Sequence, residues 1–318
     1  MGCPVMNKSD RIERRLKLHD LRVLMSGVQA GSMSKAAEHL GTAQPALSRS
    51  IAELEHALGV RLLDRSPRGV EPTAYGRALI RRGVAVFDEL RQGVRDIEFL
   101  ADPTAGELRI GATEAIAGAI VSPLIELLSR RHRRIEFHVV TGDLGRHLRS
   151  LADRNIEFAL SRLHEPIVDE QVAVENLFYD SYVVVAGRQN PLARRRRIQL
   201  TELVNERWTL LPLDTLPGAL MVEAFRTCGL EPPRATVSTL SLNVHNRLLA
   251  TGRFLSVQPA FLSRLPGRHP SLATLPVDLP GTRRPVGIVS LKNRIMSPLA
   301  QYFLDRLRSV VKPLQIAR

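Results

Sequence analysis

The sequence predicts a mainly α, winged helix-turn-helix head, a long connecting helix, and a C-terminal α/β region built as two Rossmann-like lobes. Three observations predict it. The stretch from Ser32 to Leu58 reads as two short helices about a tight turn, and Tyr75 to Leu100 carries apolar residues at threes and fours. Beyond Asp102-Pro103-Thr104-Ala105-Gly106, a hinge by composition, short apolar strands alternate with helices to the end of the chain.

The 318 residues suffice for a small domain plus a larger one, or for two lobes, each with its own core. The net charge of +13 favours a polyanionic partner, and charge alone fits DNA, RNA or an anionic membrane surface. The best apolar stretch, Ala115 to Leu128, is interrupted by Ser122, Pro123 and Glu126, so no membrane span is expected. The first seventeen residues have no apolar signal core, and Cys3 and Cys228 are too few for a disulfide framework. A soluble cytoplasmic protein is the expectation. Residues 1 to 17 are read as a basic, solvated tail, with phosphate contact as the alternative.

Leu21, Leu24 and Val28 predict a structural helix over 18–28. In the helix after it, Ser32 or Ser34 serves as N-cap, Ala36 and Ala37 allow a close crossing, Leu40 points inward, and Gly41 permits a sharp exit. The next helix is expected after Thr42 as cap, with Pro45 in a first turn where a missing N–H costs nothing. Leu47, Ile51, Leu54 and Leu58 form one buried stripe, which leaves Gln44, Pro45, Ser48 and Arg49 on another face at the helix start. Gln pairs with adenine and Arg with guanine through two hydrogen bonds each, and Ser serves a base or a phosphate. These residues, with Ser34, are the candidate contacts to double-stranded DNA; a solvated polar face is the bland alternative. Gly59 to Arg65 and Val70 to Thr73 read as short strands around the turn Ser66-Pro67-Arg68-Gly69, which makes a wing. Arg65 is placed on phosphate and Arg68 in a minor groove.

The run from Leu21 to Ala74, with AGSMSKAAEHL, AQPALSRSIAELEHALGVRLLDR and PTAYG, closely resembles the N-terminal domain of LysR-type transcriptional regulators. The resemblance is strong over roughly residues 18 to 100 and extends in layout to the rest of the chain. It implies a winged helix-turn-helix DNA-binding domain over 18–74, a linker and dimerisation helix over 75–101, and an effector-binding domain over 107–318 that is similar to periplasmic binding proteins. Lobe one would comprise 107–178 and 284–318, and lobe two 179–283. It further implies sequence-specific transcription regulation, a small-molecule effector between the lobes, a dimer or tetramer, and RNA polymerase as a further partner. The dimer would pair linker helices antiparallel, and Leu79, Val86, Phe87, Leu90, Val94 and Ile97 on the 3.6-residue stripe are its candidate contacts.

Strands are expected at 107–111, 135–141, 156–160, 181–186, 208–211, 235–238, 253–258 and 286–291, in parallel sheets. Helices are expected at 117–131, 144–153, 216–228, around 242–251, and at 298–311. Ligands of such sheets lie beyond the carboxyl ends of strands. The cleft candidates are therefore Thr113, Glu114, Thr141, Gly142, Ser161 and Arg162 from lobe one, and Thr215 and Gln258 from lobe two. Hydroxyls, backbone N–H groups and Arg162 suit a small anion or polar metabolite, whereas Glu114 and Asp143 either meet a ligand's hydroxyls and amines or cap helices.

The runs Arg130-Arg131-His132-Arg133-Arg134 and Arg194 to Arg197 are read as solvated surface, with an extension of the DNA footprint as the alternative. His132, His138 and His164 have no metal-ligand spacing, and Cys228 reads as a buried small hydrophobe. No phosphate-cradling loop or nucleophile motif occurs, so neither a cofactor nor a metal is expected and the chain is read as no enzyme. Two rivals remain. One is an architectural DNA-binding protein without effector control. The other is an enzyme or solute-binding protein carrying an incidental DNA-binding head.

Overall fold

The computed structural model describes residues 16–66, 69–163, 167, 169–266 and 269–315. It comprises two compact units, one ending at Gly93 and the other starting at Val94. In the first unit α1 (Leu18–Ala30), α2 (Met33–His39) and α3 (Gln44–Leu58) pack around Leu24, Ala36, Leu47, Ile51 and Leu54. The two alanines predicted for a close crossing, Ala36 and Ala37, are both buried in it. Ser32, rather than Ser34, caps α2 by accepting from the Lys35 N–H. The third helix starts one residue later than Thr42 would have it. Ala43 occupies the cap without a side-chain bond, and Pro45 falls in the first turn.

Strands β1 (Leu63–Ser66) and β2 (Gly69–Pro72) pair antiparallel as the wing. It is pinned at both ends of its ladder. The Glu55 carboxylate on α3 accepts from the N–H groups of Leu62 at 2.7 Å and Leu63 at 3.1 Å. The Val70 N–H donates to the Gly31 carbonyl, which lies only 2.4 Å from where a side chain on Gly69 would begin. Only glycine admits that approach.

Helix α4 (Ala74–Ala101) runs 28 residues, about 42 Å at 1.5 Å per residue. Its first half is not a free linker. Gly83 lies against Leu21 and Met25 of α1, and Leu79 and Ile80 pack on the head's core. Phe87 lies beneath the Arg22 guanidinium, 5.2 Å from the ring centre.

The second unit holds two five-stranded sheets. The first has the order β4-β3-β5-β12-β6, with β3 (Ala105–Ala112), β4 (Arg134–Thr141), β5 (Phe158–Arg162), β6 (Val172–Asp180) and β12 (Arg284–Leu291). The second has the order β11-β7-β10-β8-β9, with β7 (Tyr182–Gly187), β8 (Trp208–Leu210), β9 (Ala235–Ser238), β10 (Leu255–Pro259) and β11 (Leu272–Thr274). Both sheets are mixed rather than parallel, because β12 runs against β5 and β6, and β7 runs against β10 and β11. The antiparallel strands are those by which the chain passes between sheets, at Asp180 to Tyr182 and again just before Arg284. Strands β6 and β11 were absent from the sequence reading. In β6, Val172, Leu177, Phe178 and Asp180 are buried without regular alternation, and β12 pairs it through a register shift at Val286/Gly287, so no clean period-two signal survives.

In lobe one, α5 (Glu114–Ile116) continues through a π-helical turn (Ala117–Val121) into α6 (Ser122–Ser129). The helix expected over 117–131 therefore begins earlier, and the wide turn falls just before Pro123, which has no N–H for the regular ladder. Helix α11 (Pro298–Gln315) closes over Ile110, Phe158, Ile288, Phe303 and Leu307, while α7 (Leu144–Ala152) packs on a separate cluster of Leu151, Ile156, Ala159 and Val289. Lobe two closes α8 (Leu216–Thr227) over Val184, Trp208, Leu255 and Val257, and α9 (Leu242–Ala250) lies against β7, β8, β10 and β11. The short α10 (Phe261–Arg264) follows β10, and its Phe261 buries in the core of lobe one. No helix among the described residues is long and apolar enough to cross a membrane.

Candidate nucleic-acid interface and effector cleft

At the start of α3, burial sorts the side chains as the stripe demands. Leu47, Ile51 and Leu54 are inside, and Gln44, Pro45 and Arg49 are not part of that core. Ser50 turns inward and donates to the Asp20 carboxylate on α1 at 2.6 Å, which fixes the rotation of α3 against the head. The Ser48 hydroxyl has no hydrogen-bond partner among the described residues. Ser34 on α2 and Arg65 on β1 are exposed. Arg68 lies outside the described residues, as do His164 and residues 1 to 15.

The six residues singled out on the long helix divide into two sets. Leu79 and Phe87 are half-buried within their own unit, as described above. Val86, Leu90, Val94 and Ile97 are exposed, Leu90 by 48% and Ile97 by 69%, and Leu100 extends the row. They follow one another at steps of four, four and three, which places them on one apolar face.

The cleft candidates are mostly engaged already. Arg162, expected to await an anion, is buried and committed. Its Nη1 donates to the Asp180 carbonyl at 2.6 Å, its Nη2 to the Asp180 carboxylate at 2.5 Å, and its guanidinium stacks 4.4 Å from the Tyr182 ring centre. The other oxygen of that carboxylate accepts from the Phe261 N–H at 2.9 Å, so one aspartate joins β5, the crossing strand and the end of β10. Burial raises the Asp180 pKa, against the opposing pull of Arg162. Ser161 is fully buried and serves His147. Gln258 is buried and donates to Asn246 at 2.8 Å, and Thr215 caps α8 by accepting from Gly218. Asp143 caps α7 through the Arg146 N–H at 2.7 Å. Thr141 is exposed at the end of β4, Gly142 is covered by the Arg146 side chain, and Thr113 sits at the α5 cap without a side-chain bond.

Glu114 does something the sequence left open. Its carboxylate accepts the Leu242 N–H at 2.9 Å, so a lobe-one acid caps helix α9 of lobe two, 128 positions along the chain.

The sequence reading missed two buried histidines. His147 on α7 donates from Nε2 to the Val140 carbonyl at 3.3 Å, which leaves Nδ1 to accept from the Ser161 hydroxyl at 3.0 Å. His245 on α9 donates from Nε2 to the Thr239 carbonyl at 3.0 Å, and its Nδ1 faces the Thr209 and Ser256 hydroxyls at 3.0 and 3.1 Å. Burial lowers the pKa of each, the largest cause in both, and keeps both rings neutral. The signal was present as a repeat: each histidine follows its helix cap, Asp143 or Ser241, by four positions.

A winged helix-turn-helix joined to a two-lobed α/β binding domain defines a DNA-binding regulator that answers to a small molecule. Comparison with known proteins agrees at the level of family. Residues 18–77 match the model described as bacterial regulatory helix-turn-helix protein, lysR family, and residues 101–312 match the LysR substrate binding domain. The chain belongs to the LysR family: it is a LysR-type transcriptional regulator with an effector-binding domain. It is 29% identical to the transcriptional regulator GbpR of Azospirillum brasilense over 305 residues, 94% of this chain and 87% of that one. It is 25% identical to the dual regulator GltC of Bacillus subtilis over 291 residues, 91% and 96% of the two chains. Among solved structures, a cysteine-to-aspartate variant of full-length OxyR from Pseudomonas aeruginosa shares the fold with a TM-score of 0.65 at 22% identity, covering 95% of this chain and 97% of that one. CbnR in complex with its target DNA shares it at 0.52 and 20%, covering 93% and 100%. The curated relatives GbpR and GltC are named as transcriptional regulators.

Proposed function

We propose that the chain is a sequence-specific regulator that reads duplex DNA with the first turns of α3 and takes a small-molecule effector between its two lobes. The observation that carries the first half is the sorting at α3: Gln44 and Pro45 stand in solvent at the helix start, with Arg49 one turn on, while the leucine flank is buried. Arg65 and Ser34 are read as flanking contacts; the Ser48 hydroxyl is closed off from solvent and is assigned no contact. The exposed row Val86, Leu90, Val94, Ile97 on α4 is read as the face by which two copies pair, which would set two reading heads on one two-fold site. A cytoplasmic location, and RNA polymerase as a partner, accompany this reading.

The deciding experiment is to sequence the genomic DNA that the protein retains and to measure binding to that site and to random duplex at one salt concentration. A regulator discriminates by about a thousandfold or more, an architectural protein hardly at all. Arg49→Ala is expected to cost about 1 to 3 kcal/mol at the retained site and far less on random duplex. An equal loss on both reduces Arg49 to a phosphate contact. Leu90→Glu is expected to shift sedimentation toward monomer, and intact dimers would remove α4 from the interface.

A further inference from the structure

Most of the chain's net positive charge lies outside its DNA-reading head. Residues 1–93 hold fifteen basic and ten acidic side chains, and lobe one with its incoming helix (94–180 and 284–318) holds seventeen and sixteen. Residues 181–283, the span that builds lobe two, hold thirteen arginines, no lysine and only six carboxylates, so this third of the chain carries more than half of the net +13.

The fold gathers seven of these arginines at one end. Strand β7 ends beside the start of β10, since Ala186 pairs with Leu255, and Leu255 also pairs with Trp208 at the start of β8. Arg188 after β7, Arg207 before β8 and Arg253 before β10 therefore share the end of the sheet opposite the crossing at Tyr182 and Pro259. The run that includes Arg194, Arg196 and Arg197 is held there too. The Asn190 amide donates to the Gly252 carbonyl at 2.9 Å, Asn190 caps the turn Pro191–Arg194, and Gln189 donates to the Ala250 carbonyl. Gly252 lies at φ +73 with the Gln189 side chain filling the place of a Cβ. All seven, Arg195 included, are exposed. Arg195 is neutralised by a two-pronged pair with Glu202, but Arg194, Arg196, Arg197, Arg207 and Arg253 make no ion pair among the described residues.

A run of four arginines in a sequence is ordinarily a solvated surface. Here separate loops, cross-linked by side-chain to backbone bonds, present one fixed guanidinium face whose mutual repulsion is relieved by a polyanion. We infer that the end of lobe two remote from the interlobe crossing is a second DNA-binding face, which holds the phosphate backbone outside the base-reading site. This rests on the proposed function, since the first site keeps duplex tethered to the protein and even weak phosphate contacts then add through effective concentration. Guanidinium groups grip phosphate without reading sequence.

The test measures the full-length protein on two duplexes: the shortest retained core, and that core extended by about two helical turns, about 21 bp, on each side. Wild type is expected to bind the extended duplex more tightly and with a steeper salt dependence. The triple variant Arg194→Gln/Arg196→Gln/Arg197→Gln is expected to lose that gain, with a slope shallower by about 0.9 per lost contact, while core binding is unchanged. The double variant Arg207→Gln/Arg253→Gln, on other loops, guards against a local folding defect and is expected to act the same way. Failure of wild type to bind the core would sink the proposed function itself. Core binding without any gain from the extension, or a gain that survives both variants, overturns this inference alone and leaves the face to an acidic protein or to solvent.

Discussion

In lobe one, His147 on α7 ties the helix to the Val140 carbonyl and to Ser161 of β5; in lobe two, His245 on α9 ties its helix to the Thr239 carbonyl and to Ser256 of β10. Each ring lies four positions after a capping side chain, behind the helix end that borders the strand termini. The same packing solution thus occurs twice, with a third partner, Thr209, only in lobe two. On the outer surfaces the lobes part company: one is nearly neutral, the other strongly basic. The inner device answers to the geometry of a helix on a sheet, which both lobes share. Surface charge has no such constraint and follows what each lobe meets outside.

The largest expected effect comes from severing the lobes' shared joint. Asp180→Ala leaves the buried Arg162 guanidinium without its carboxylate and frees the Phe261 N–H. The effector domain is expected to lose about 3 to 5 kcal/mol in denaturant unfolding. A loss under about 1 kcal/mol would mean that water reaches Arg162 and that the joint is not dry.

The second effect tests whether the two histidines are equivalent. His245→Leu, with three polar partners stranded, is expected to cost more than His147→Leu, with two, each loss amounting to about 1 to 3 kcal/mol in all. Equal losses would break the distinction. Both rings have pKa values below the ordinary histidine value, so the unfolded chain binds protons first as pH falls. Their contribution is full above about pH 6.5 and is lost as pH drops from there through the lower folded values. Thermal unfolding at a series of pH values is expected to show that acid loss shrinking in each histidine variant.

The smallest effect concerns the contact between lobes. Glu114→Ala removes the acceptor of the Leu242 N–H while Ser241 still caps α9, and is expected to cost about 0.5 to 1 kcal/mol, because the site is exposed. Its sharper readout is faster hydrogen exchange at the Leu242 amide. Unchanged exchange there would show that the cap forms only transiently.

The head was legible because its information is local. A leucine stripe at threes and fours, a proline in a first turn and a glycine exit each act within a few residues, and α1 to α3 follow them closely. One local expectation failed: Ala43 rather than Thr42 takes the cap position of α3, without a side-chain bond. The first half of α4 packs on α1 at Gly83, which has no side chain to hold the helices apart, a contact that no local pattern announces. In the cleft, residue types and strand ends were identified but their duties were not. Ser161, Arg162 and Gln258 are each consumed by a partner inside the protein, and β6 hid behind an irregular burial pattern and a shifted register.

By itself the sequence determined the kind of protein: periodicity and turn chemistry fix which stretches are helix, wing and strand, and those fix the architecture. Only the tertiary structure decided which polar groups remain available to a ligand. Arg162 finds Asp180 18 positions away, Glu114 finds Leu242 across 128, and the arginines of lobe two assemble from loops that no local pattern connects. A buried charge must find its counter-charge wherever the fold brings one near, and that meeting is written in three dimensions.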